Sequence, residues 1–209
     1  MSGVSRPEVL LVASENPGKV AEIRELLAAV PLQLISLADL PSPPHLTEPY
    51  DTFAGNARHK AMVAAHASGY LTVADDSGLV VPALDGAPGI RSSRVAGSDP
   101  ERIRWLLGKM TALARDQRAA HFICTIALAD RQRGVLGTWQ GRVDGLIIPQ
   151  PQGDDGFGYD PIFLYPPTQQ TFAQMTAQEK NEVSHRGQAL RDFARDLPAI
   201  LRDIASDNE

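Results

Sequence analysis

The sequence predicts an α/β protein built on a long central mixed β-sheet with helices around it. Three observations support this fold class. Short apolar runs alternate with segments of helical spacing up to residue 113, as in proteins whose parallel strands are joined by helices. Two longer strand patterns then follow one another across a short turn, which indicates an antiparallel hairpin. Parallel strands followed by a hairpin favour a mixed sheet over a purely parallel one.

The N-terminal elements follow from apolar runs and from helical spacing. Residues 9–13 form a continuous apolar run, typical of a strand buried on both faces, and residues 32–36 predict a second strand. Between them, a polar loop at 14–18 precedes apolar residues that recur at helical spacing over 20–30. The proline-rich stretch 41–49 cannot be helix or central strand, so it predicts a connection.

The middle of the chain predicts a second helix and an interrupted strand. The helix is expected over residues 52–68 and is ended by Gly69, because glycine readily adopts the left-handed conformation of a helix C-terminus. A strand over 71–74 leads into Asp75-Asp76-Ser77-Gly78, which are turn formers, and β character resumes at 79–81.

The second half predicts longer strands and a long C-terminal helix. A third helix begins at Pro100, with Ser98 or Asp99 as its cap. An irregular loop over residues 82–97 precedes this helix, which is expected to end at residue 113. Residues 121–130 and 135–143 predict an antiparallel hairpin. A glycine-rich loop at 153–158 and a final helix over 187–205 follow.

Composition limits the class of protein. With 209 residues, 43% of them hydrophobic, we expect residues 1–209 to form one domain, with two lobes around one continuous sheet. A net charge of −5 argues against a general DNA or RNA binder, so an anionic ligand needs local basic groups, a metal, or both.

The single cysteine, Cys124, lies in an apolar run and is predicted to be a buried strand residue. We recognise no secretory signal or membrane-length apolar run, and we expect a cytoplasmic protein without membrane contact.

The first candidate site is the segment 14–19, Ser-Glu-Asn-Pro-Gly-Lys, between a strand and a helix. Free backbone N–H groups at a helix N-terminus attract phosphate, and Lys19 adds a full positive charge. The spacing is not that of a P-loop. A capped helix with Ser14 or Asn16 as its cap and Lys19 in solvent explains the same residues.

The second candidate is the acidic pair Asp75-Asp76, followed by Ser77 and Gly78. Open α/β sheets bind ligands beyond strand ends, and adjacent carboxylates there can hold Mg²⁺ and deprotonate water. A simple turn is the alternative. Because side chains alternate along a strand, one acid is expected to face the ligand while the other braces the loop.

The third candidate combines residues 157–160, Phe-Gly-Tyr-Asp, with Lys180, His185 and Arg186. Phe157 could stack on a base, and Asp160 could bind a hydroxyl or ring N–H. Lys180 could reach phosphate, while His185 and Arg186 could donate to a base carbonyl. A hydrophobic plug and a helix capped by Ser184 would explain these residues singly, but not together.

Three weaker candidates lie in the second helix and in the proline-rich stretch. Asn56 and Lys60 are four residues apart, hence on one helix face, and could reach phosphates. A solvated face explains them nearly as well. Glu48 could supply a second metal carboxylate, although an isolated Glu is usually a surface residue.

Taken in order along the chain, these motifs resemble the inosine triphosphate pyrophosphatases. The resemblance covers nearly the whole length, from Leu11 to Leu190. It rests on residues 14–19 with Glu22, 52–53, 56–57, 60–61, 74–79, 86–90, 92–94, 156–163, 175, 179–181 and 184–190. Several ordered motifs in one chain are far more specific than any one of them.

The resemblance implies a fold, an assembly and a reaction. The fold is a two-lobed α/β structure around a long mixed sheet, with the active site in the cleft between the lobes, usually as a homodimer. The reaction is Mg²⁺-dependent hydrolysis of the deaminated purine nucleotides ITP, dITP or XTP to the monophosphate and pyrophosphate. Such an enzyme keeps these bases out of DNA and RNA and binds no nucleic acid directly.

The resemblance also implies roles by position. Asp76 is the expected catalytic residue, both metal ligand and proton acceptor for the attacking water. Lys19 and Lys180 are expected to hold phosphates, and Ser77 to contact the substrate. The remaining expected substrate-binding residues are Ser14, Glu15, Asn16, Pro17, Gly18, Phe157, Gly158, Tyr159, Asp160, His185 and Arg186.

One position departs from the family pattern. Where the family often has Glu before the Asn-Ala pair, this chain has Gly55. Any role of that acid is therefore missing, and Glu48 becomes the remaining candidate for a second metal carboxylate beside Asp76.

Two other functions fit parts of the sequence. A related enzyme could act on another modified nucleotide, such as a methylated pyrimidine triphosphate. A nucleotide sensor without turnover is a different class, and the presence of both Asp75 and Asp76 argues against it, since a sensor needs no water-activating pair. Hydrolysis is therefore our prediction.

Overall fold

A computed structural model describes residues 9–206. Within them, the chain forms seven strands and five α-helices. The strands are β1 to β7, at Val9–Val12, Gln33–Ser36, Leu71–Val80, Ala119–Asp130, Gly134–Ile147, Phe163–Tyr165 and Gln170–Thr171. The helices are α1 to α5, at Pro17–Leu26, Phe53–Ser68, Asp99–Lys109, Ala177–Val183 and His185–Ser206.

The seven strands form one mixed sheet in the order β2-β1-β3-β4-β5-β6-β7. β1 pairs in parallel with both β2 and β3, and every later pairing is antiparallel. The β4–β5 hairpin is the longest pair. This arrangement confirms the predicted α/β class with a mixed sheet.

Three buried clusters hold the helices on the sheet. On one face, α1 and α5 pack through Ile23 and Phe193 against Leu10 and Ile126. On the opposite face, α2 packs through a row of small alanines. A third cluster joins α3 to the far end of the sheet around Phe163. In the part of the chain that the structure describes, no helix has the length and apolar character needed to cross a membrane.

The ends of the first helices follow their capping residues. Asn16 caps α1 by accepting a hydrogen bond of 3.2 Å from the Lys19 backbone N–H. α1 ends at Leu26, before the predicted Val30, and Pro31 disfavours helical backbone at Val30 itself. α2 confirms the prediction: Thr52 is its cap, and Gly69 ends it at a φ of 76°.

The predicted interruption of the strand at residues 75–78 was wrong, and so was the alternative of a simple turn there. These residues lie inside β3, because β4 continues to pair with it, with Asp76 opposite Thr125 and Gly78 opposite Ile123. β1, in contrast, pairs with β3 only as far as Val73. The second half of β3 therefore extends past the end of β1, and its side chains can contribute to a site there.

The C-terminal half contains elements that the sequence did not predict. The strands β6 and β7 have three and two residues, too few for a periodic pattern, and α4 has a mainly polar sequence. α3 ends at Lys109 instead of Leu113, where the Thr111 hydroxyl donates to two carbonyls of its last turn. α5 begins at His185, two residues early, and Ser184 accepts from Gly187 N–H at 3.0 Å as predicted.

Cys124 is buried in β4, as its apolar neighbours predicted. Burial raises the pKa of its thiol to about 12. The thiol therefore stays protonated at neutral pH and is a poor nucleophile.

Candidate active site

Most of the predicted site residues line one cleft beyond the end of β1. They come from α1, β3, the glycine-rich loop, α4 and α5, elements far apart in sequence. The predicted residues that line this cleft are Asn16, Lys19, Glu48, Asp76, Ser77, Phe157, Gly158, Tyr159, Asp160, Lys180, His185 and Arg186. An adjoining cleft is lined by Ser14, Glu15 and Lys60, and also by Asn16, Lys19 and Glu48.

Asp75 lies beneath the cleft, where two cations neutralise it. Its carboxylate accepts from Lys19 Nζ at 2.9 Å and from Arg186 Nη2 at 3.3 Å, and its side chain has no exposed surface. Burial by itself would raise the pKa of Asp75, but Lys19 and Arg186 outweigh it and hold the pKa well below its usual range. Asp75 is therefore a permanent negative charge that positions two cations.

Asp76 meets different partners, because adjacent strand residues point to opposite faces. Its oxygens accept from Asn56 Nδ2 at 3.1 Å and from Lys60 Nζ at 3.3 Å, both on α2. Burial, and also the negative charge of Glu48, raise the pKa of Asp76 to about 6, although Lys60 opposes the shift. Asp76 is thus ionised at neutral pH and basic enough to accept a proton.

Glu48 lies on the same side as Asp76, in the proline-rich connection. Its two oxygens accept from Lys60 Nζ at 2.7 Å and from Arg94 Nη1 at 2.9 Å. Burial opposes ionisation of Glu48, but Lys60 and Arg94 more than compensate and lower its pKa. Burial would lower the pKa of Lys60, but the charges of Asp76, Asp75 and Glu48 outweigh it and raise this pKa.

Asp76 and Glu48 form a donor set that suits a hard divalent cation such as Mg²⁺. Lys60 Nζ donates to one oxygen of each carboxylate, Glu48 Oε1 and Asp76 Oδ1. Among residues 9–206, no group of three or more His, Cys, Asp or Glu side chains could hold a metal ion. Two carboxylates completed by water and substrate phosphates are a common Mg²⁺ environment, so the residues present fit this ion.

Two cations at the other end of the cleft share one carboxylate, that of Glu22 on α1. Lys180 Nζ donates to Glu22 at 2.8 Å and to Asp160 at 2.6 Å. Arg186 pairs with Glu22 through Nη1 and donates to Ser77 Oγ at 2.9 Å through Nη2. Both side chains are almost fully buried, and these contacts neutralise their charges and hold them in fixed positions.

The Phe157 ring lies against these two cations. Lys180 Nζ is 4.7 Å from the ring centroid and the Arg186 guanidinium carbon is 5.6 Å from it. A β-carbon on Gly18 would come within 2.7 Å of the same ring. Gly18 therefore allows α1 to approach the aromatic residue predicted to stack on a base.

The loop that carries Phe157 is fixed by two carboxylates. Phe157 N–H donates to Asp160 at 2.9 Å, and Gly158 N–H donates to Asp99 on α3 at 2.7 Å. Burial raises the pKa of Asp160, although Lys180 opposes the shift. Tyr159 is buried in the core, and its hydroxyl donates to the Ser92 carbonyl at 2.9 Å.

His185 is held neutral at the wall of the cleft. Burial, then the charges of Arg186 and Lys180, move its pKa well below the usual value. Its ring stacks on Phe122, with centroids 4.7 Å apart and the planes 9° from parallel. Within the described part of the chain, His185 Nδ1 and Arg186 Nε are buried without a hydrogen-bond partner. Both nitrogens therefore keep an unused hydrogen-bonding capacity at this wall of the cleft.

Residues of the first loop divide between the site and its surroundings. Asn16 and Lys19 line the cleft, and Ser14 and Glu15 line the adjoining one. Pro17 lies in the first turn of α1 and lines a neighbouring groove toward the proline-rich connection. Gly18 contacts the site through Phe157.

Gly55 makes room for the chain that leads into α2. A β-carbon there would lie 2.7 Å from Tyr50 Cβ and 2.9 Å from Thr52 Oγ1. Tyr50 N–H in turn donates to the Asn56 side chain at 2.9 Å. The departure at position 55 is therefore accompanied by close packing that orients Asn56, the hydrogen-bond donor to Asp76.

Sequence reasoning assigned no role to several residues of the site. Glu22 could have been found, because it follows Lys19 by three residues on α1 and so shares its face. Ser92, Ser93 and Arg94 belong to the motifs of the resemblance, and Asp99 was a candidate helix cap, but none of them was assigned to the site. Arg102 and Phe122 gave no local signal, since they approach from separate elements.

Known proteins resemble this chain over nearly its full length. It is 43% identical over 201 residues to the dITP/XTP pyrophosphatase of Lactobacillus acidophilus, covering 91% of this chain and 98% of that protein. It is 46% identical over 201 residues to the dITP/XTP pyrophosphatase of Prochlorococcus marinus, covering 96% and 95%. The solved HAM1 protein of Coxiella burnetii superimposes with a TM-score of 0.82 at 40% identity, covering 92% of this chain and 99% of that one.

The family model for the Ham1 family matches residues 10–196. This range includes every predicted site residue, from Ser14 to Arg186. The chain therefore belongs to the Ham1 family.

Proposed function

We propose that this chain hydrolyses the deaminated purine nucleoside triphosphates dITP, XTP and ITP to their monophosphates and pyrophosphate. The names of its relatives, dITP/XTP pyrophosphatases, support this substrate class. The observation that carries the proposal is Asp76, a carboxylate with a pKa of about 6 in a cleft lined by paired cations. Such a group can accept a proton at neutral pH, as hydrolysis requires.

Asp76 is the residue that activates water. Asn56 and Lys60 fix its two oxygens, so the carboxylate is oriented before the substrate arrives. A water in contact with it attacks the α-phosphorus in line with the departing pyrophosphate. Proton transfer to Asp76 accompanies the attack, and the product proton returns to solvent.

The lysines compensate the charge of the phosphates. Lys19, at the N-terminus of α1, and Lys180, on α4, are each ion-paired with carboxylates in the structure. They therefore bind phosphate from fixed positions and need little reorganisation, which favours a transition state with charge on the leaving group. Ser77, held by Arg186, contacts the substrate between them.

Mg²⁺ is the metal that we assign to this reaction, with Asp76 and Glu48 as its protein ligands. When bound, it neutralises charge on the triphosphate and polarises it toward attack. Glu48 lies on the connection before α2, so the ligand set joins β3 to that connection.

Selection of the base follows from donors at the other end of the cleft. Phe157 stacks on the base, and the Nε of Arg186 or a nitrogen of His185 donates to the carbonyl at position six of hypoxanthine or xanthine. Adenine has an amino group there and would leave the buried donor unpaired. Sites of this kind discriminate by roughly 10⁴.

The setting of the enzyme follows the same proposal. Residues 1–209 form a single domain of two lobes with the site in the cleft between them, and the molecule acts as a homodimer in the cytoplasm. Its substrate is a free nucleotide, and the net charge of −5 gives it no general affinity for nucleic acid.

A substrate panel tests the proposal. The purified protein is incubated with Mg²⁺ and dITP, XTP, ITP, GTP or ATP, and both monophosphate and pyrophosphate are measured. We expect release of pyrophosphate from the first three, with kcat/KM for ATP lower by roughly 10⁴. Absence of pyrophosphate from all deaminated purines, or release of orthophosphate in its place, would overturn the proposal.

A further inference from the structure

Glu48 is held between two cations of different character. Lys60 donates to one of its oxygens at 2.7 Å and Arg94 to the other at 2.9 Å. A divalent cation that shares Glu48 with Asp76 would meet both positive charges at short range. At least one of the two must therefore move away when the ion binds.

Lys60 is the cation that stays. It belongs to the regular helix α2, its side chain is 9% exposed, and it also donates to Asp76 at 3.3 Å. Arg94 lies after the short helical turn Gly89–Arg91, and its side chain is 42% exposed. Besides Glu48, its guanidinium donates to the Ile90 carbonyl at 2.8 Å. Arg94 can thus leave Glu48 without unfolding a helix or leaving a buried charge.

Arg94 is also close to where phosphates would pass. Its neighbour Ser93 and its partner Glu48 line both the main cleft and the adjoining one, so they mark the boundary between the two. A triphosphate that extends between Lys19 and Glu48 crosses this boundary. The planar guanidinium of arginine binds phosphate oxygens in pairs, which suits this position.

We propose that Arg94 occupies Glu48 until a divalent cation replaces it, and that the released guanidinium then binds the pyrophosphate portion of the substrate. This inference rests on the proposed function, since it uses the same metal and the same leaving group. Arg94 therefore has two opposite effects: it competes with the metal ion alone and it strengthens binding of the metal–pyrophosphate pair.

The opposite effects give a test that does not depend on turnover. The variants are Arg94→Gln, which removes the charge, and Arg94→Lys, which keeps it. Arg91→Gln is the matched control, because Arg91 is exposed, lies three residues before Arg94, and its substitution changes the net charge equally. Mn²⁺ binding without nucleotide is measured from the electron paramagnetic resonance signal of the free ion, and binding of pyrophosphate with Mn²⁺ is measured by calorimetry.

We expect Arg94→Gln to bind Mn²⁺ alone about fivefold more tightly than the wild type, because a competing half-exposed ion pair is gone. The same variant should bind pyrophosphate with Mn²⁺ about tenfold more weakly, because a charged hydrogen bond to phosphate is lost. Arg94→Lys should fall between, and Arg91→Gln should match the wild type in both measurements.

The outcomes separate this inference from the proposed function. If Arg94→Gln behaves like Arg91→Gln, or weakens both Mn²⁺ and pyrophosphate binding as a structural defect would, the role of Arg94 is overturned while hydrolysis stands. If the wild type binds neither Mn²⁺ nor pyrophosphate and releases no pyrophosphate from dITP, both proposals are overturned.

Discussion

Asp75 and Asp76 are neighbours on one strand, yet their surroundings are opposite. Asp75 faces α1 and α5 and is paired with Lys19 and Arg186, so its pKa lies well below the usual range. Asp76 faces α2, where burial and Glu48 raise its pKa to about 6. One strand therefore presents a permanently charged carboxylate on one face and a proton-accepting carboxylate on the other.

The difference shows how a strand can separate two roles within two residues. A pair of acids on one face would repel each other and share a proton, and neither would be fully charged. The alternation of the strand places each acid among its own cations instead. Asp75 can then fix the cations that bind the substrate, and Asp76 remains free to react.

The largest expected effects come from removing each charge separately. Asp76→Asn should lower kcat for dITP by about 10³-fold, because a general base is lost, while the protein stays folded. Asp75→Asn should lower the free energy of unfolding by about 3 kcal/mol, because it leaves the buried Arg186 and the half-buried Lys19 with one partner fewer. Pyrophosphate release and urea denaturation measure the two effects.

Each variant serves as the control for the other. Urea denaturation of Asp76→Asn should give a midpoint no lower than that of the wild type, because Lys60 keeps its bond to Glu48. Substantial residual turnover in Asp76→Asn would remove its catalytic role. Wild-type stability in Asp75→Asn would mean that its two ion pairs contribute nothing to the fold.

Part of this contrast was accessible from the sequence. The alternation of side chains along a strand predicted that the two acids would have different surroundings, and the helical spacing placed Asn56 and Lys60 on one face. The partners that set the two pKa values were not predictable in the same way. Arg186 lies 111 residues from Asp75, and only the packing of α5 on the sheet brings them together.

The fold shows the same limit. Strands and helices with long periodic patterns were predicted correctly, because their signal is local. The continuity of β3 depends on its pairing with β4, which overrides the turn preference of Asp75 to Gly78. β6 and β7 are formed by pairing alone, with too few residues for any pattern.

A second, smaller effect should appear in the dependence of stability on pH without metal. The folded-state pKa of Asp76, about 6, exceeds the ordinary aspartate value of 3.8, so ionisation of Asp76 costs stability as pH rises from about 4 to about 6. The pKa of Asp75 is depressed, so Asp75 contributes stability above pH 3.8 and loses it as pH falls through the folded-state pKa. Urea denaturation in EDTA, carried from neutral pH to well below pH 3.8, measures both.

As pH rises, the stability of the two variants relative to the wild type should therefore change in opposite directions. Asp76→Asn should gain stability relative to the wild type as pH rises from about 4 to about 7. The deficit of Asp75→Asn should be full at neutral pH and shrink in acid. If the free energy of unfolding of both variants followed pH in the same way, the two carboxylates would have similar pKa values.

The smallest expected effect concerns Thr125, the residue opposite Asp76 on β4. Its side chain is buried on the same face, and among residues 9–206 its hydroxyl has no hydrogen-bond partner. Thr125→Val keeps the shape and removes the unpaired hydroxyl, so we expect the free energy of unfolding to rise by about 1 kcal/mol. Turnover of dITP should stay within about twofold, because Thr125 contacts neither Asn56 nor Lys60 through that hydroxyl. A tenfold loss would instead show that the hydroxyl serves the reaction, and the reactive face of β3 would then include its neighbour on β4.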